Sequence, residues 1–156
     1  KMMAVVFCRV EERLIHGQIT CAWAKTLDFD AFVVVDDTAA GDEFMTSLLE
    51  MSVPNQKKLY VFDEAGAPAE IAKLGERLFV LAKSPVTFLK LYHNGVPIEK
   101  LNIGSVHFKP GKKEIYKTVC LSPAEIEALK ELIGAGIPCE IQKLPTEGKR
   151  NVADLL

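Results

Sequence analysis

At 156 residues the chain is long enough for one globular domain, expected over 1–156, and short for two. Hydrophobic residues make up 49% of it, enough for a full core, and a net charge of −2 offers no basic surface for nucleic acid or an anionic membrane. Its four cysteines form no C-x-x-C pair, which argues for reduced thiols and against a zinc site or disulfide framework.

The apolar opening KMMAVVFCRV is shorter than a signal peptide and lacks a small-residue cleavage site. No run reaches membrane-spanning length, so the expectation is a soluble, cytoplasmic domain. The first strand is predicted over Met3–Val10, followed by the loop RVEERLIHGQ. After Gly17 a helix is expected, with Ile19, Ala22, Trp23 and Thr26 or Leu27 on one stripe. A strand over Ala31–Asp36 comes next, then a helix presenting Phe44, Met45, Leu48, Leu49 and Ser52 on one face. A strand over Lys58–Phe62 precedes a weaker helix from Pro68 to Leu74, and a strand over Arg77–Ala82 follows.

Ser84-Pro85 supplies an N-cap and a first-turn proline for a helix that closes at Gly95. Beyond a strand over Leu101–Val106 and the KPGK turn, residues Glu114–Val119 read as an antiparallel edge strand. Ser122-Pro123-Ala124-Glu125 is a capping box that opens a helix ending near Gly134 to Gly136. A last strand is predicted over Ile137–Lys143, and the polar tail Pro145–Asn151 reads as irregular. The strand runs are apolar on both alternating sets, as parallel strands covered on both faces require. The alternation implies an α/β fold: a single doubly wound, mostly parallel twisted sheet with helices on both faces and an antiparallel edge strand.

In such sheets ligands bind beyond the carboxyl ends of the strands, where RVEERLIHGQ lies. Arg9 and Arg13 add two fixed positive charges whose planar guanidinium groups match phosphate. The helix starting near Gly17 offers free N–H groups to an anion, and Gly17 itself leaves room for close backbone approach. A neutral His16 imidazole in that setting is a nucleophile toward phosphorus. From composition alone, the competing account is a charged surface loop.

RVEERLIHGQITCAW resembles the R-[IV]-D-[DE]-R-L-[IV]-H-G-Q-V…W signature of the IIB components of the mannose/fructose/sorbose family of sugar phosphotransferase systems. The likeness continues through VVVDDTAAGDEF, LAKSPVTFLKL, LNIGSVHFKPGKKEI and LSPAEIEALKELIGAGIPCEIQKLP, nearly the whole chain in order. The resemblance implies a phosphotransferase in which His16 accepts a phosphoryl group, on Nδ1, from a IIA protein. It then passes that group to a sugar entering through membrane IIC and IID subunits. It also implies that Arg13 lies at the phosphorylated ring and that Arg9 and Gly17 belong to the same phosphate-binding loop. The expected location is the cytoplasm, peripherally on the transporter, with no cofactor, metal or nucleic acid. Mannose, fructose, sorbose and N-acetylgalactosamine all stay open as the sugar. Where the family often has aspartates this chain has Glu11 and Glu12, and Gly41 stands for an asparagine, keeping an acceptable helix N-cap.

Other residues are weighed beside these. Asp36 and Asp37, after the second strand, read as cap and turn residues rather than a magnesium site. His107, between Val106 and Phe108, reads as packed, His93 as a partner of a helix dipole and Trp23 as core. No G-x-G-x-x-G or P-loop pattern supports a nucleotide. Two alternatives from other classes are a receiver-type signalling domain phosphorylated on Asp63 and a non-catalytic sugar-phosphate sensor. The arginines stand where a receiver would need metal-binding acids, and would repel the metal.

Overall fold

The computed structural model describes residues 4–54 and 57–156; Met3, the expected start of the first strand, lies outside them. In chain order the elements are β1 (Ala4–Val10), α1 (Gly17–Thr26), β2 (Ala31–Val35), α2 (Asp37–Ala40), α3 (Glu43–Ser52), β3 (Lys58–Phe62), α4 (Ala67–Lys73) and β4 (Arg77–Ala82). There follow α5 (Pro85–His93), β5 (Leu101–Ile103), β6 (Lys113–Tyr116), β7 (Val119–Leu121), α6 (Pro123–Gly134), β8 (Cys139–Ile141), β9 (Arg150–Asn151) and a 3-10 turn, Val152–Leu155.

Seven strands form one sheet in the order β3-β2-β4-β1-β5-β8-β9. All neighbours are parallel except β9, which runs antiparallel to β8. Side chains alternate between faces, and the two cores follow that parity. Ala31, Val33, Val35, Leu78, Val80 and Ala82 pack under α4, α5 and α6, through residues such as Ile71, Phe88 and Leu129. Phe32, Val34, Phe79 and Leu81 face the other way, against Trp23 of α1, Ala39 of α2 and Leu49 of α3. The all-buried run AFVVV therefore needs cover on both sides, and has it.

Two expectations about edges change. The antiparallel edge is β9, inside the tail that reads as irregular, while the segment after the KPGK turn forms the separate hairpin β6–β7. The hairpin turns at Thr118, which sits at φ 64°, and so splits the single predicted strand in two. The short α2 was not expected. As a result Asp42, not Gly41, caps α3: its Oδ1 accepts from the N–H groups of Phe44 (2.9 Å) and Met45 (3.3 Å). The caps read at Ser84 and Ser122 hold, with Ser122 and Glu125 exchanging bonds as a capping box. Glu125 also accepts from Ser84 Oγ (2.8 Å) and pairs with Lys112 (3.1 Å), joining the starts of α5 and α6.

Candidate active site

The β1–α1 loop begins at the central strand of the seven-stranded sheet. α1 leaves β1 toward one face and α5 leaves the neighbouring β4 toward the other, so the loop sits at the crevice where the winding reverses. The sheet ladder extends into it: Glu11 N–H donates to Ala82 O (2.8 Å) and Glu12 N–H to Ser105 O (3.1 Å). The chain then turns sharply, Leu14 N–H returning to Glu11 O (3.0 Å), with Leu14 at φ 58° and Gly17 at φ 46°. A leucine in the left-handed region is strained, and burial of Leu14 and Ile15 in the α1-side core holds it there. A Cβ on Gly17 would meet no atom of the described residues within 4 Å, so within the chain itself it is the backbone angle that calls for glycine.

His16 is the N-cap residue of α1, its N–H bonded to Thr20 Oγ1 (2.8 Å). Among the described residues no side chain caps this helix and no acid lies in its first turn, so the positive end of α1 could take an outside anion. The ring is 15% exposed, with Nε2 turned inward to 3.5 Å from Glu11 Oε2. That leaves Nδ1 as the ring nitrogen on the accessible side. Arg13 is exposed and makes no hydrogen bond or ion pair among the described residues. It lines an open cleft of about 350 Å³ with His16, Gly17, Lys83 and, from α3, Met45 and Leu48. His16, Arg13 and Gly17 are therefore brought together as expected.

Arg9 is not. It is 1% exposed, and every N–H of its guanidinium is taken inside the protein. Nε and Nη2 donate to Glu11 Oε1 (3.2 and 3.0 Å), Nη1 to Asn102 Oδ1 and Gln142 O, and Nη2 also to Lys143 O (2.9 Å). Its Cζ lies 4.9 Å from the centre of the Trp23 ring. Burial pulls its pKa down against the opposing pull of Glu11. Arg9 shares β1's parity with Phe7, which faces the α1-side core, so the pleat carries it inward and no donor is left for a phosphate.

His107 is also corrected. It is exposed rather than packed, and its Nδ1 contacts Glu12 Oε2, which also accepts from the His107 backbone N–H (3.3 Å). Partial burial pushes the Glu12 carboxyl up, but His107 and Lys109 together outweigh it and hold it below its usual value. This pair clamps the β1–α1 loop to the segment after β5, a contact across 95 positions that no local pattern announces.

The remaining candidates are structural. Asp36 caps α2 by accepting from Ala39 N–H (3.0 Å), and Asp37 accepts from Glu64 N–H (2.8 Å). Asp63, the receiver candidate, accepts from Gly66 N–H within a turn (2.6 Å). Trp23 is core, and His93 ends α5 against Glu131. Among the described residues no group of three or more His, Cys, Asp or Glu is placed to hold a metal ion.

A family model described as "PTS system sorbose subfamily IIB component" matches residues 5–156. The chain belongs to this family. It is 31% identical to the N-acetylgalactosamine-specific phosphotransferase enzyme IIB component 2 of Escherichia coli K12, covering 99% of this chain and 100% of the other. It is also 31% identical to a sorbose-specific EIIB component of Lacticaseibacillus casei, over 96% of this chain and 93% of the relative. The IIBSor domain of the sorbose permease from Klebsiella pneumoniae superposes with a TM-score of 0.93 at 31% identity, over 97% and 95% of the two chains. This chain is thus a IIB component of a sugar phosphotransferase system, with a phosphotransfer role in sugar uptake; neither the receiver nor the sensor reading finds support among its relatives. No helix among the described residues is long and apolar enough to cross a membrane.

Proposed function

We propose that residues 1–156 act as one IIB domain that carries a phosphoryl group on His16 Nδ1, taken from a phosphorylated IIA protein and delivered to an incoming sugar. The observation that carries this is the accessible side of the His16 ring at the start of α1, beside an exposed Arg13 that has no ion-pair partner among the described residues. Transfer between two histidines spreads negative charge over three equatorial oxygens, with attacking and leaving nitrogens in line. Arg13 can bond two of those oxygens at once, and the first N–H groups of α1 face the same place. The mannose-specific EIIAB component of Escherichia coli K12, 30% identical and about twice as long, carries A and B in its name, which supports a IIA donor.

The receiving side is a set of membrane IIC and IID subunits, with this domain in the cytoplasm at their surface. Relatives named for sorbose, N-acetylgalactosamine, mannose and fructose align about equally, so the sugar class is a hexose or amino sugar. The test is phosphoryl uptake from phosphorylated IIA. His16→Ala abolishes an acid-labile, alkali-stable label, and His93→Ala and His107→Ala keep it. Undiminished labelling of the His16 variant would refute the proposal.

A further inference from the structure

We infer that Glu11 is the positioning residue for the acceptor ring: its Oε2 holds the His16 proton at Nε2, and so presents the lone pair at Nδ1 to the incoming phosphorus. The inference rests on His16 as acceptor and adds the tautomer on which attack depends.

Glu11 Oε2 and His16 Nε2 are both buried, and neither has a hydrogen-bond partner among the described residues. They face each other at 3.5 Å, longer than a formed N–H···O bond of about 2.9 Å. Catalytic contacts of this kind tighten when the partner docks. With the proton on Nε2 both buried atoms are satisfied. With it on Nδ1, two lone pairs would face each other inside the protein and the nucleophile would be blocked.

Arg9 decides which oxygen does this. Its two donors to Glu11 both end on Oε1, leaving Oε2 for the ring. The other charges nearby are committed elsewhere or lie outside. Glu12 is held by His107 and Lys109, Lys83 is 3.8 Å from Asp36, and Arg13 lines the open cleft. The step balances without further reactants. The Nδ1 lone pair forms the N–P bond while the donor's N–P bond breaks, its electron pair returning to the donor ring. His16 keeps its Nε2 proton and gains positive charge, with the Glu11 carboxylate as counter-ion.

The test reads the His16 tautomer by 15N NMR of the imidazole in the full chain, which needs no donor, and the single-turnover rate from phosphorylated IIA. Wild type should carry the proton on Nε2. In Glu11→Gln, Arg9 keeps the amide oxygen, so the NH2 group faces the ring and drives the proton to Nδ1. Transfer should fall on the order of a hundredfold, while Glu11→Asp keeps the tautomer and stays within about tenfold. A wild-type proton on Nδ1 overturns the inference even if the glutamine variant fails to fold. So does a folded Glu11→Gln with unchanged tautomer and rate. A wild type that takes no label on His16 overturns the reading beneath it instead, and the role of Glu11 in transfer with it.

Discussion

Gly104 lies just past β5, and a methyl group there would test how firmly the buried pair behind the histidine is held. Its Cβ would stand 2.3 Å from Glu11 Oε1, 2.4 Å from Arg9 Nη2 and 2.8 Å from Arg9 Cζ, the first roughly 1 Å short of ordinary contact. These atoms are side-chain ends, which elsewhere would swing aside. Here Arg9 is bonded through every N–H and lies against Trp23, and Glu11 is 2% exposed. A shift of that size breaks the bonds of 3.0 and 3.2 Å between them. Overpacking a well-packed site costs about 1–3 kcal/mol, and the upper end applies where the displaced atoms belong to a buried ion pair. Gly104→Ala should therefore lose about 3 kcal/mol, a Tm lower by about 6–12 °C for a chain of this size. Urea unfolding followed by circular dichroism measures the first, and single-turnover transfer shows whether His16 is affected with it. A midpoint and slope equal to wild type would refute the claim that this pair cannot move.

Three further outcomes are expected. Arg13→Ala, at an exposed position, should leave stability within about 0.5 kcal/mol but slow transfer strongly, with Arg13→Lys between; wild-type single-turnover rates in both would remove Arg13 from the site. On α3, Phe44 and Met51 are 70% and 82% exposed beside the cleft, so Phe44→Ser with Met51→Ser should lower the second-order rate with phosphorylated IIA and leave the rate at saturation unchanged. Hydrogen bonds from Arg77 hold the Asp30 carboxyl at about 2, so this pair stabilises fully above the ordinary carboxylate range and loses its effect as pH falls through about 2. Asp30→Asn should lower Tm at pH 7, with the gap to wild type closing in acid; a gap independent of pH would refute the assignment.

The sheet was legible because its signal is local. LFVL and FVVV are apolar at every position, and Lys58–Phe62 and Arg77–Ala82 fall where they were predicted. Ser84 and Ser122 announced their helices through hydroxyl groups placed before prolines. His16 and Arg13 are singled out by the likeness of RVEERLIHGQ to a family signature, and the structure places both on one cleft at a strand end. Arg9 was misplaced because its charge suggested solvent, whereas its parity with Phe7 along β1 pointed inward. The apolar face read on α3 was half wrong for a different reason. Phe44, Leu48 and Leu49 share a helical face, but only Leu49 reaches the core, and how deep a face sits is a tertiary matter. The His107–Glu12 clamp and the β9 edge depend on distant partners, which single-sequence patterns do not encode.

The ladder that runs from β1 into the loop has a consequence for amide hydrogen exchange. β1 is paired along its length with β4 and at its end with β5, and the bonds from Glu11 to Ala82 and from Glu12 to Ser105 prolong both pairings past the strand. Amides of residues 8–12 should open only with the whole sheet, while those of Arg13 and His16 to Gln18 exchange through local fluctuation. The boundary between the two regimes falls within a few bonds of the His16 ring. Thermal wobble at His16 then accumulates over those few bonds rather than over a long loop. With His16 as the proposed acceptor, a donor protein that docks only briefly would meet a ring already aimed.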